Sequence, residues 1–145
     1  MGAQDFVDEL RRECFGLDEN TFFIGNENGC GFIEAFVKDD NTLTLEKVWV
    51  VSKLRKQGHG SNVMKCLTHY ADVFGFDIEL LAAEIKAGGG FIMNSKTRMV
   101  SASADKKNRI SPKRLPKWYN KFGFEFINKN QQGNWNMKYF SKKFL

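Results

Sequence analysis

The sequence offers little that could hold a chain together from outside its own core. Its three cysteines, Cys14, Cys30 and Cys66, form no CxxC pair, and an odd number of thiols without an export signal argues for reduced cysteine rather than a disulfide framework. Only two histidines occur, His59 and His69. Cys66 and His69 stand three apart at helical spacing, but no second cysteine lies near enough in sequence to complete a tetrahedral zinc set, so no metal is expected. No apolar run approaches the roughly 18 residues of a membrane span, and the stretch MGAQDFVDELRR carries acids where a signal peptide carries cations. These absences predict a cytoplasmic protein with no membrane partner. What is present is globular: 42% hydrophobic residues, 14 phenylalanines and only two prolines in 145 residues. That length suffices to bury one core without staples, so a single domain spanning 1–145 is expected.

Charge is unevenly placed. Residues 1–50 carry eleven acids and four bases, a net −7, whereas residues 51–145 carry eighteen bases and six acids, a net +12. Between Lys86 and Lys121 there are ten Lys or Arg and one acid, Asp105. Such a stretch can track a nucleic-acid backbone, steer a polyanionic cofactor, or form a solvated face.

Periodicity organises the rest. QDFVDELRRECF places Phe6, Val7, Leu10 and Cys14 on one helical face, with acids in its first turns. TFFIGNENG, CGFIEAFVK and DDNTLTLEKVWVV then read as three strands of an antiparallel meander. Alternation in the third puts Leu45, Lys47, Trp49 and Val51 on one face and Thr44, Glu46, Val48 and Val50 on the other. SNVMKCLTHYADVFG carries Val63, Met64, Leu67, Tyr70, Ala71 and Phe74 at helical spacing, with Ser61 as its expected N-cap and Gly75 as its stop. FDIELLAAEI follows as a buried strand. Strand, loop, helix, strand is a βαβ unit, which predicts parallel flanking strands. Residues 86–111 suggest a small hairpin built from FIM and RMVSAS. A short helix is expected in SPKRLPKWYNKFG, opened by Ser111 and Pro112 and closed by Gly123, before a C-terminal β-hairpin of FEFINK and NWNMKYF. The fold class is therefore α+β with a mixed sheet.

Between the third strand and the main helix lies KLRKQGHGS. Its glycines lack the third glycine of a dinucleotide fingerprint and the Gly-Lys-Ser/Thr of a Walker loop, so neither NAD nor ATP is favoured. Arg55, Lys56, Gln57, Gly58, His59 and Gly60 instead form an Arg-x-x-Gly-x-Gly turn that opens a helix. Unpaired amides and the positive end of that helix make an anion site, and glycine lets the backbone approach phosphate oxygens closely.

With this turn the sequence resembles the GCN5-related N-acetyltransferases. A second match is LPKWYNKFGFEFI, an apolar-Tyr-x-x-x-Gly-Phe turn in which Tyr119 precedes Gly123 by four residues; a third is Glu46, four residues before Val50. The family usually has an extra N-terminal strand and a second helix before the meander, elements this chain lacks room for. The resemblance implies acetyl-CoA as co-substrate, its pyrophosphate on Arg55, Lys56, Gln57, Gly58, His59, Gly60 and Ser61, with Val48, Trp49 and Val50 lining the coenzyme. It implies Glu46 as general base and Tyr119 as the acid that protonates the leaving thiolate. The expected partner is an amine acceptor, a small molecule or a protein, and a homodimer is left open. The alternative is a catalytically inactive module of the same fold that binds nucleic acid or an acidic partner through residues 86–121, where Phe91, Trp118, Tyr119 and Phe122 interleave with the cations.

Overall fold

The computed structural model describes residues 2–13, 19–26, 29–49, 59–82, 91–93, 99–101 and 114–142. Helix α1 (Ala3–Arg12) buries Ala3, Phe6, Val7 and Leu10 along one face. Its start is fixed by the Gly2 N–H donating to the Asp5 carboxylate at 2.9 Å, and Arg11 and Arg12 occupy the last turn, where cations complement the helix dipole. The meander forms as expected: β1 (Thr21–Asn26), β2 (Gly29–Asp39) and β3 (Thr42–Trp49) pair antiparallel in sequence order. Helix α2 (His59–Phe74) then crosses to β4 (Asp77–Ala82), which pairs parallel to β3. Gly75, at φ 77°, ends α2 in the left-handed region that glycine adopts without strain.

Two short strands, β5 (Phe91–Met93) and β6 (Met99–Ser101), pair as the hairpin expected from FIM and RMVSAS. Helix α3 (Leu115–Asn120) leads into β7 (Glu125–Lys129) and β8 (Trp135–Tyr139). The main sheet has six strands in the order β1-β2-β3-β4-β8-β7, so the last strand of the chain lies between β4 and β7. A mixed sheet with few helices confirms the α+β class.

One helix start differs from the sequence expectation. Helix α2 begins at His59, which puts Ser61 inside its first turn rather than at the N-cap. Helix α3 begins at Leu115, with Pro116 in the first turn, the position at which a missing N–H costs nothing; Ser111 and Pro112 lie outside the described residues.

One face of the sheet carries the core. Phe22, Ile24, Ile33, Leu43, Leu45, Ile78, Leu80 and Met137 point into it from the strands, and Val63, Met64, Leu67 and Ala71 meet them from α2. Phe6 of α1 stacks at 5.2 Å on Tyr70, 5.9 Å on Phe74 and 5.1 Å on Phe76, so aromatic packing ties the two helices to the start of β4. The opposite face carries a charge ladder in which Lys38 pairs with Glu79 at 3.0 Å, and Lys138 lies 3.7 Å from Glu79 and 3.9 Å from Asp77.

Candidate active site

The parallel pair at the centre of the sheet does not stay paired. Thr42, Leu43, Thr44 and Leu45 stand opposite Asp77, Ile78, Glu79 and Leu80, and there the register ends. Both strands continue, β3 to Trp49 and β4 to Ala82. Each stays bonded to its outer neighbour, since Trp49 still faces Phe32 on β2 and Ala82 still faces Trp135 on β8. The sheet therefore parts into β1-β2-β3 and β4-β8-β7 at the C-terminal ends of its only described parallel pair. Among the described residues no ladder pairs join the two facing edges beyond Leu45 and Leu80, and in sheets with parallel strands the C-terminal ends are where ligands bind.

Residue Glu46 marks the point of separation. Glu34 pairs with Lys47 and Ala35 with Leu45, so Glu46 is an extra residue with no opposite number on β2. Such a bulge bends its strand and increases local twist. It also corrects the alternation expected from sequence. Leu45 opposes buried Ala35 and Val48 opposes buried Ile33, so residues three apart share the core face, and Glu46 stands outside the two-residue repeat. Its side chain is exposed, and among the described residues its carboxylate has no hydrogen-bond or ion-pair partner. Val48 is half-buried and packs against the core, and Trp49 lies on the diverging end of β3. Val50, Arg55, Lys56, Gln57 and Gly58 lie outside the described residues.

Helix α2 takes up the chain at His59 and carries Gly60 and Ser61, both half-buried, in its first turn, which contains no acid. A 16-residue helix leaves its first amides unpaired, and nothing negative in that turn competes for them.

On the other side of the parting, α3 packs against β4 and β7. It carries Tyr119, which keeps only 8% of its surface. Trp118 packs edge-on at 5.1 Å and Phe124 at 5.9 Å. Burial pushes the Tyr119 phenol well above its ordinary value, so it holds its proton throughout the neutral range. Among the described residues its hydroxyl has no hydrogen-bond partner, an unusual state for a buried hydroxyl.

Below Tyr119 the structure places residues that the sequence did not single out. Tyr139, 2% exposed, donates from its hydroxyl to the two oxygens of Asp72 at 2.9 and 3.0 Å. Burial first, and then the Asp72 hydrogen bond and charge, raise this phenol as well. A carboxylate near the C-terminal end of α2 opposes the helix dipole, which is the one local signal that Asp72 has another task.

Other candidates are not assembled. Cys66 is half-buried, its thiol pushed up by burial with a smaller opposing effect from Asn62, and no cluster of His, Cys, Asp or Glu among the described residues could hold a metal. The side chains of Cys14 and Cys30 are outside the description. So is most of 86–113, and with it the expected basic face. No described helix is long and apolar enough to cross a membrane.

Comparison with known proteins follows the same outline. An aminoglycoside 6'-N-acetyltransferase solved with coenzyme A superposes with a TM-score of 0.51 at 15% identity, over 94% of this chain and 78% of that one. Ard1 from Thermoplasma volcanium matches with a TM-score of 0.49 at 15% identity, over 96% of this chain and 80% of that one. The PaiA N-acetyltransferase from Thermoplasma acidophilum, also solved with coenzyme A, matches with a TM-score of 0.46 at 14% identity, over 94% and 70%. No curated protein sequence matches. The model of the Acetyltransferase (GNAT) family covers residues 2–87, from α1 past the end of β4. A meander, a crossover helix and a parallel pair that parts at its bulge thus belong to a chain of the GNAT acetyltransferase family.

Proposed function

We propose that the chain transfers an acetyl group from acetyl-CoA to a primary amine by direct attack, at the parting of β3 and β4. The observation that supports this most is the pairing of opposites across that opening: an exposed carboxylate on the bulge of β3, without a partner among the described residues, and a buried, protonated phenol on the helix packed against β4.

The donor fits the residues present. Its pyrophosphate would meet the first turn of α2, where Gly60 and Ser61 lie, with Gly58 adding a further amide and Arg55 and Lys56 positive charge from the preceding segment. The pantetheine arm, an extended chain with amide groups, would take the place of a strand against the edge of β3 at Val48 and Trp49, which pairs with no β4 residue among the described residues, and against Val50, the next residue in the chain. An N–H of that edge, near Val50, would also meet the oxyanion formed on attack, and one such donor is typically worth roughly 3 kcal/mol.

The protons then have named owners. An alkyl amine with a pKa near ~10.4 is almost wholly protonated at neutral pH and cannot attack. Glu46 would take that proton, directly or through water. As the tetrahedral intermediate collapses, the C–S bond breaks and the departing thiolate needs a proton, which Tyr119 would donate from its hydroxyl. A phenol that burial keeps protonated suits that task, and the base on the other side suits the first.

Thiol release with acetyl-CoA and a panel of amines tests these roles. Tyr119→Phe is expected to lower kcat by roughly 10²-fold while KM for acetyl-CoA stays within a few-fold. Unchanged turnover would remove Tyr119 from the acid role.

A further inference from the structure

Helix α3 has only six residues, far below the length at which a helix holds itself in water. The direction of the Tyr119 hydroxyl must therefore be set by whatever backs the helix. Besides β4 and β7, part of that backing comes through Phe124 from Tyr139. Its ring packs on Phe124 at 5.6 Å, and the Phe124 ring packs on Tyr119 at 5.9 Å. Gly123 sits at φ +98°, and a Cβ placed on it would stand 3.1 Å from Cε2 of Tyr139, so the turn closes directly onto that ring. Two bonds staple the turn to itself: the Phe124 N–H donates to the Tyr119 carbonyl at 3.4 Å, and Nδ2 of Asn120 donates to the Phe124 carbonyl at 2.9 Å. The Tyr139 ring is in turn fixed by its hydroxyl on Asp72, whose Oδ1 also accepts the Lys142 N–H at 2.8 Å.

We infer that Tyr139, held by Asp72, is a positioning residue for Tyr119. The inference rests on Tyr119 being the acid, as proposed above. It also assigns a reason to the Gly-Phe of the turn: glycine for the left-handed backbone and the close approach to Tyr139, phenylalanine as the spacer between the two tyrosines. Because Asp72 lies on α2, the brace joins the far end of the donor-binding helix to the mount of the acid. A hydroxyl displaced by even a fraction of an ångström transfers its proton less well, without weakening donor binding.

A double-mutant cycle on thiol release from acetyl-CoA, with water as the only acceptor, separates positioning from mere packing. Tyr139→Phe keeps the ring and removes the bond to Asp72. It is expected to lower kcat by about 3- to 10-fold with KM within twofold, and to add nothing, within twofold, once Tyr119 is already Phe. Asp72→Asn, which keeps an acceptor oxygen, should give a smaller loss and serves if Tyr139→Phe does not fold. Multiplying effects of the two tyrosine changes, or an unchanged kcat in both Tyr139→Phe and Asp72→Asn, would overturn the inference. A wild-type kcat in Tyr119→Phe alone would remove the acid first, and the brace would fall with it.

Discussion

At the Thr42 and Asp77 end, β3 and β4 are knit together from every side. Leu43 and Ile78 are fully buried, Thr42 keeps 6% of its surface, the Asp77 N–H donates to the Asn41 carbonyl at 2.7 Å, and the Asp77 carboxylate accepts the Ser141 N–H at 2.9 Å. Four residues further on the same strands have separated, Glu46 is exposed and Leu81 keeps 41% of its surface. The difference teaches where stability and chemistry reside. The closed end supplies buried area; the open end gives up interstrand hydrogen bonds, which a stable fold tolerates only where something else comes to use them.

The sharpest way to break that contrast is to delete Glu46. Removing the extra residue restores regular alternation from Leu45 to Val48 and lets pairing with β4 run on. Thiol release is expected to fall by more than about 10³-fold, with the acid–base and oxyanion contributions lost together, while denaturant stability holds or rises. A deletion variant that keeps its activity would separate the bulge from the site. Leu43→Ala acts on the other end. It should cost about 2–5 kcal/mol in chemical denaturation, since it empties a site with no solvent exposure, and leave kcat of the folded fraction nearly unchanged. A comparable loss of kcat would mean the two ends are not independent.

A smaller effect follows from the buried phenol. Burial holds the Tyr119 value above its unfolded value of 10.0, so its contribution to stability is complete below about pH 10 and is lost as the pH rises further, because the unfolded chain releases that proton first. Denaturation midpoints of Tyr119→Phe should therefore fall less steeply than wild type between about pH 10 and 11.5. Parallel curves would place the phenol in contact with water.

Much of this was legible in the sequence, and for a physical reason. Alternation in TLTL and helical spacing in NVMKCLTHYADVF report burial, and burial follows from elements next to each other in the chain. The Arg-x-x-Gly-x-Gly turn and the Tyr-x-x-x-Gly-Phe turn are local as well, because glycine is dictated by backbone angle and close approach. The bulge was not read: LEKV sets two polar residues side by side between apolar ones, a break in alternation that an inserted residue and a strand with mixed faces both produce, and only the register with β2 distinguishes them. Nor was the brace, since Tyr139 and Asp72 are 67 positions apart and meet only once β8 has inserted beside β4. The start of α2 slipped where sequence cues competed, with Ser61 offering a cap that the backbone does not use.

The most direct test is thermal unfolding with acetyl-CoA, run on the wild type and on the Glu46 deletion side by side. At one hundred times its dissociation constant the coenzyme should stabilise the wild type by about 2.7 kcal/mol, a rise of roughly 5–10 °C for a domain of this size. The deletion variant, with its strands closed, should show no rise. An equal rise in both proteins, or none in the wild type at millimolar acetyl-CoA, would contradict a coenzyme site at the parting of β3 and β4.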